Sequence, residues 1–334
     1  MQTKVIRVDA ANPEVGAIAE AADALRRGRL VAFPTETVYG LGANALDSDA
    51  VTRVFTAKGR PSNNPLIVHV ASIEQARQLA AEWPKTAELL AAHFWPGPLT
   101  LVVKRGTQVP DIVTAGGPTV GLRIPAHSVA LALLQAVALP LAAPSANRSS
   151  YLSPTRAEHV LRGLDGRFDL LLDAGPTAGG LESSVLDATV WPSRLLRPGL
   201  ISPAQIETLV GPIQRSSPLA VSPKEPLPSP GMLSRHYAPR ATLECVEGDS
   251  SARVEELCRQ GARVGWLTLA GQKKSQHAGL TIVEMPPFPA DYAGRLYAAL
   301  HDLDQAGVER IIATMPPETE EWLAIRDRLR RASV

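Results

Sequence analysis

The chain has 334 residues, 34 basic against 33 acidic side chains, and 45% hydrophobic residues. That balance excludes a protein that coats nucleic acid by field strength alone, and an aromatic content of 4% offers no base-stacking platform. Two cysteines, Cys245 and Cys258, exclude a disulfide scaffold and lack the spacing of a zinc site; no run of about 18 apolar residues suggests a membrane span, and the N-terminal MQTKVIRVDAANPE has no apolar signal core, so a soluble cytoplasmic protein is expected.

The length suggests two domains. In chain order, residues 4–7 read as a strand, 14–28 as a helix ending on glycine, and 30–34 as a short buried strand. A capped helix follows over 47–59. Strands are expected at 65–70, 99–104, 119–124, 169–173 and 184–189, with alanine- and leucine-rich helices between several of them. Some connections are too short for a crossover helix, so a mixed sheet is expected over 1–211. Residues 212–240 hold seven prolines and five serines and read as an extended linker. From 241 to 334 strands and helices alternate as in a small parallel, Rossmann-like unit: TLECVE, a helix at 249–260, RVGWLTL, TIVEM, a helix near 290–306, RIIATM, and an amphipathic helix at 318–331.

Several segments carry polar groups where a ligand cleft would need them. Gly40-Leu41-Gly42-Ala43-Asn44-Ala45 fits a relaxed dinucleotide pattern, but the acidic residue expected about 20 positions on falls in the basic, proline-broken KGRPSNNP, and that reading is set aside. No GxxxxGK[ST] loop occurs. PTETVYGLG (34–42) follows a buried strand and is either a cleft wall or a tight turn with satisfied hydroxyls. In Lys58-Gly59-Arg60 an extended backbone puts two cations on one side beside Ser62, suited to a polyphosphate; the alternative is a solvated helix end. Ser145-x-Asn147 repeats that spacing. Ser153-Pro154-Thr155 resembles a helix start, with serine as cap. Arg123 ends a buried strand, so it needs an anion from the protein or from a ligand.

Taken together and in order, PTETVYGLG (34–42), KGRPSNNPLIVH (58–69), FWPGPLT (94–100), VGLRIPAH (120–127), PSANRSSYLSPT (144–155), ESSVLD (182–187), RPG (197–199) and SPGMLSRHYAP (229–239) resemble the YrdC-type threonylcarbamoyl-AMP synthases, in the long form with an added C-terminal domain. The resemblance implies a twisted mixed-sheet α/β domain with a basic cavity. It implies ATP, L-threonine and bicarbonate as ligands, magnesium with the ATP, no organic cofactor and no protein metal site. By position, Thr35, His69, Arg123, Ala143 and Ser183 would line a threonine pocket. Lys58, Ser62, Thr119, Ser145, Asn147, Ser153, Arg197 and Tyr237 would contact ATP, with Lys58 and Arg60 as the catalytic cations. Leu233 and Ser234 depart from the Lys-Tyr pair common in the family's linker. The implied product serves threonylcarbamoyladenosine formation next to the tRNA anticodon, with the downstream transferase machinery and tRNA as partners. A plain RNA-binding module is disfavoured by charge and aromatic content; a carbamoyl-transfer maturation factor is disfavoured because two cysteines cannot make its zinc motifs.

Overall fold

A computed structural model describes residues 2–215, 236–269 and 277–333. Gly231 to Ser234, including the Leu233-Ser234 departure, lie outside the described residues.

Among the described residues the first sheet holds β1 (Lys4–Arg7), β2 (Val31–Phe33), β3 (Gly40–Asn44), β4 (Ile67–His69), β5 (Leu99–Lys104), β6 (Thr119–Arg123), β7 (Leu141–Ala142), β8 (Leu170–Asp173), β9 (Ser184–Asp187), β10 (Arg194–Arg197) and β11 (Gln214–Arg215). Their order is β1-β8-β2-β3-β7-β4-β6-β5-β9-β10-β11. Parallel pairs such as β4 with β6 alternate with antiparallel ones such as β2 with β3, so the sheet is mixed, as the short connections require. The last strand, β11, falls within the run expected as linker. A second sheet of β12 (Thr242–Val246), β13 (Val264–Leu269), β14 (Leu280–Met285) and β15 (Arg310–Thr314), ordered β12-β15-β13-β14, is parallel throughout.

Local chemistry explains the elements. Asp47 caps the helix Ser48–Lys58 by accepting from the amides of Asp49 and Ala50, and Gly59 ends it at φ 61. The helix Val15–Arg26 buries Ile18, Ala21, Ala22 and Leu25 in one cluster with the apolar face of Ser128–Val137. Two elements differ from expectation. GLGAN is a strand, not a loop: it pairs antiparallel with β2, and a Cβ at Gly42 would stand 2.7 Å from the Phe33 ring, which requires glycine there. The helix expected at Ser153 begins at Ala157, because the Ser153 hydroxyl is held by Glu182 instead of capping a helix.

The two sheets' units pack directly on each other. A shared apolar cluster joins Val38, Leu152 and Leu181 of the first to Tyr292, Leu296 and Leu300 on the helix Pro289–Gln305 of the second. A Cβ on Gly180 would lie 2.3 Å from the Ala293 carbonyl oxygen, so the backbones meet too closely for any side chain. At the same junction His159 stacks on His301 with ring centroids 3.9 Å apart. Burial first, then its neighbour His301 and Arg162 and Arg156, pushes His159 down to about 3; burial pushes His301 down to about 4 against the opposing pull of the Ser153 carbonyl and Asp304.

Both imidazoles therefore stay neutral in the folded state at pH values where the unfolded chain protonates them. Stability should be fully present above about pH 6.5 and decline as pH falls toward 4, by up to about 1.4 kcal/mol per pH unit for each histidine. His301→Gln should flatten that decline in thermal unfolding between pH 7 and 5. An unchanged slope would show that the stack is not pH-sensitive.

Candidate active site

The strand ends converge on one cleft lined by polar and charged side chains. Its walls come from the segment after β2, the ends of β4 and β6, the segment after β7, the start of β9, the end of β10 and the pair His236-Tyr237.

On one side, β4 and β6 run parallel, with His69 paired to Arg123 in register. Arg123 is 3% exposed. Its Nε donates to the Gly97 carbonyl at 3.1 Å and its Nη2 to the Thr37 hydroxyl at 3.1 Å. The anion it requires is Glu36, whose Oε1 lies 2.6 Å from Nη2. Both Glu36 oxygens are buried yet without a geometrically sound hydrogen bond, so the ion pair leaves the carboxylate under-satisfied. His69 is buried with neither ring nitrogen hydrogen-bonded, and burial, then the Arg123 charge, holds it neutral. Thr35 fits the turn reading: its hydroxyl donates to the Val38 carbonyl and accepts from the amides of Thr37 and Val38. It lines the cleft all the same.

The opposite side is cationic. Lys58 is 3% exposed, and its Nζ donates to the carbonyls of Ser145 and Asn147, both at 2.5 Å. Burial, then Arg60, depresses its pKa well below the ordinary lysine value. Arg60 is held by Asn64 and the Pro65 carbonyl, and burial pushes it down to about 9. Arg197 donates Nε to the Ser183 carbonyl and Nη2 to the Ser183 hydroxyl, both at 3.1 Å. The only carboxylate among the lining residues, Glu182, is already engaged by Arg328 at 2.7 Å. Burial alone would raise Glu182, but Arg328, Arg197 and the hydroxyl of Ser153 outweigh it and hold the carboxyl below its usual range.

All five residues expected for the amino acid, Thr35, His69, Arg123, Ala143 and Ser183, line this cleft, as do Arg60, Ser145, Arg197 and Tyr237. Lys58, Asn147 and Ser153 stand behind the wall, bonded to residues that form it or follow it. Ser62 is exposed in the turn after Arg60, and Thr119 starts β6 opposite Lys104; neither is a lining residue. At about 3.3 Å per strand residue, Thr119 sits roughly 13 Å along β6 from Arg123.

Two spacing arguments need correction. Lys58 is the last helical residue and Gly59 is left-handed, so Lys58 and Arg60 are not related by an extended backbone; nor is Lys58 a solvated helix end. A Cβ at Gly59 would meet nothing within 4 Å, so glycine serves the positive φ, not a close approach. Between Ser145 and Asn147 an amide-to-carbonyl bond of 3.0 Å closes a tight turn, and the Asn147 amide is spent on the carbonyls of Arg148 and Tyr151. The residues missed from sequence are Glu36 and Arg328. A carboxylate within PTETVYG, in a chain whose buried Arg123 needed an anion, was the available signal for Glu36; Arg328 had no local one.

The fold and site define an α/β protein with a cation-lined cleft at its strand ends. The chain belongs to the threonylcarbamoyl-AMP synthase family. Residues 23–199 match the family described as "Telomere recombination" (Sua5_yciO_yrdC), and 201–334 match "Threonylcarbamoyl-AMP synthase, C-terminal domain". The chain is 44% identical over 322 residues to the threonylcarbamoyl-AMP synthase of Pyrococcus abyssi, covering 94% of this chain and 93% of that one. It is 45% identical over 334 residues to that of Bacillus subtilis, covering 95% and 92%. The crystal structure of P. abyssi Sua5 complexed with L-threonine superposes with a TM-score of 0.92 at 43% identity, over 99% of this chain and 98% of that one. The chain is accordingly an enzyme of the nucleotidyltransferase type.

A cleft lined by Arg60 and Arg197, with Lys58 behind them, should take up a polyphosphate. Pyrophosphate at 100 times its Kd should stabilise the chain by about 2.7 kcal/mol. The expected result is a clear rise in melting temperature that disappears in Lys58→Met/Arg60→Met. An equal rise in the double variant would place the anion elsewhere.

Proposed function

We propose that the chain condenses L-threonine, bicarbonate and ATP into L-threonylcarbamoyladenylate and pyrophosphate. The observation that carries this reading is one cleft that gathers two cationic groups, Arg123 beside His69, and Arg60 with Arg197, with Lys58 behind the wall and Ser183 bonded to Arg197. The first suits a small zwitterion, with the Arg123 guanidinium for its carboxylate and open imidazole nitrogens for its polar groups. The second suits a triphosphate. The L-threonine complex of the P. abyssi relative supports threonine as that zwitterion here.

In the reaction, the free amine of threonine attacks the carbon of bicarbonate, forming the C–N bond and releasing water to give a carbamate. A carbamate oxygen then attacks the α-phosphorus of ATP; the bond to the β-phosphate bridging oxygen breaks and pyrophosphate leaves. Neither step needs a covalent intermediate on the protein, so the residues act by positioning and by charge stabilisation. Arg123 orients the amino acid. Lys58, Arg60 and Arg197 offset charge on the transferring and leaving phosphates. His236 and Tyr237 close one side of the cleft, a placement that would keep water from the carbamate. Magnesium would supply charge neutralisation on the phosphates. The product would pass to a transferase that modifies tRNA beside the anticodon. A cytoplasmic location suits that role, and no described helix is long and apolar enough to cross a membrane.

The test is pyrophosphate release from ATP with threonine and bicarbonate each omitted in turn. Release should require both; release indifferent to threonine would overturn the reading. Within it, Arg123→Ala should weaken threonine by about 1.5–3 kcal/mol, the value of a charge-assisted bond, and ATP much less, as read by calorimetry. Equal losses for the two ligands would contradict the assignment of Arg123.

A further inference from the structure

The second unit does more than pack on the first: it reaches the wall of the cleft. Arg328 lies on the last helix, Leu323–Ala332, and is 1% exposed. Each of its guanidinium nitrogens is engaged: Nε donates to Glu182 Oε2 at 2.7 Å, Nη1 to Asp327 at 2.6 Å and Nη2 to the Pro198 carbonyl at 3.0 Å. Its Cζ stands 5.1 Å over the Tyr237 ring. The Tyr297 hydroxyl, from the helix Pro289–Gln305, donates to the same Glu182 oxygen at 3.1 Å. On the other oxygen Glu182 accepts from the Ser153 hydroxyl at 2.5 Å, and the Ser153 carbonyl meets His301 at 3.2 Å. Pro198 follows Arg197 directly, and Arg197 Nη1 lies 3.4 Å from the Tyr237 hydroxyl.

We propose that Arg328 is a positioning residue for the nucleotide half of the cleft: it fixes Glu182 and, through it, holds Ser153, Arg197 and Tyr237 in the arrangement that receives ATP. The inference rests on the nucleotide reading above. Three residues expected at ATP thus meet this group: Ser153 bonds Glu182, Arg197 lies near enough to lower its pKa, and Tyr237 stacks under Arg328, the cationic partner of Glu182, 146 positions away in the chain and on the other unit. Plain adhesion between the units is served elsewhere, by the apolar cluster around Leu181 and Leu296 and by Glu320, which binds the Ala204 amide and Arg215. The Glu320 contacts involve no cleft-lining residue, whereas the apolar cluster reaches the cleft at Val38 and Tyr237. Without Arg328, Glu182 would face Arg197 alone, and that arginine would turn toward the protein carboxylate and away from phosphate. The second unit is in this way part of the active site's framework.

The experiment uses the full chain and measures initial rates of pyrophosphate release while ATP and threonine are varied separately, for wild type, Arg328→Ala, Arg328→Lys, Glu182→Gln and the double variant Glu182→Gln/Arg328→Ala. Arg328→Ala should raise the KM for ATP by about tenfold or more, the scale of losing one charge-assisted contact, with the KM for threonine within about twofold. Arg328→Lys should recover part of the loss. The double variant should be no worse than Arg328→Ala, because Glu182 is the group through which Arg328 acts. An unchanged KM for ATP, equal rises in both KM values, or fully additive effects in the double variant would overturn the proposal. If Arg328→Ala fails to fold, Tyr297→Phe, which keeps the ring and removes only the hydroxyl contact to Glu182, should raise the KM for ATP by about two- to fivefold; no change there would overturn it equally. A wild-type chain that neither binds ATP nor releases pyrophosphate would sink the nucleotide reading and this inference together, whereas an active wild type beside an indifferent Arg328→Ala removes the inference alone.

Discussion

The constraint on which the rest of the structure depends is the burial of several cations around one cleft. Lys58, Arg60, Arg123 and Arg197 are all at most 9% exposed, and taking a charge out of water costs several kcal/mol unless a partner restores it. Arg123 has a partner in Glu36, and Arg60 and Arg197 find carbonyl and hydroxyl oxygens. Lys58 has two backbone carbonyls and, among the described residues, no carboxylate within ion-pair distance. The depressed pKa of Lys58 is the physical trace of that deficit.

The fold is arranged to hold that deficit open. The cations sit at strand ends and helix ends of one mixed sheet, where backbone carbonyls are available to hold them in place. Gly59, left-handed at φ 61, ends the helix directly after Lys58 and turns the chain toward Arg60. Packing of the second unit closes one side of the cleft with Tyr237, itself at φ 62 and 1% exposed, between the Arg328 guanidinium and the Tyr297 ring. The segment after the proline-rich run is thereby seated in the site and is not a free tether in this structure.

Much of this was legible in the sequence, and the failures have physical reasons. The helices at 14–28 and 47–59 announce themselves by apolar periodicity and by the Asp47 cap, and the Rossmann-like unit by its alternation of strands and helices. β3 was hidden because its glycines read as a turn; only the Phe33 ring across the sheet explains Gly42. Ser153 looked like a helix cap until a carboxylate 29 positions away claimed its hydroxyl. Lys58 and Arg60 do lie near each other, but a left-handed glycine, not an extended strand, relates them. The ordered motifs placed all five amino-acid residues on the cleft wall, while Ser62 and Thr119, carried over by position, lie off it. Contacts such as Glu182 with Arg328 leave no local pattern at all, because nothing near residue 328 requires a partner near residue 182.

A structure of the full chain with L-threonine and a non-hydrolysable ATP analogue tests the central claim most directly. The two cationic groups predict the threonine carboxylate on the Arg123 guanidinium at about 2.7–2.9 Å, the range of charge-assisted bonds, and the triphosphate on the side of Lys58, Arg60 and Arg197. A triphosphate seated away from all three cations, or a threonine carboxylate turned from Arg123, would contradict it.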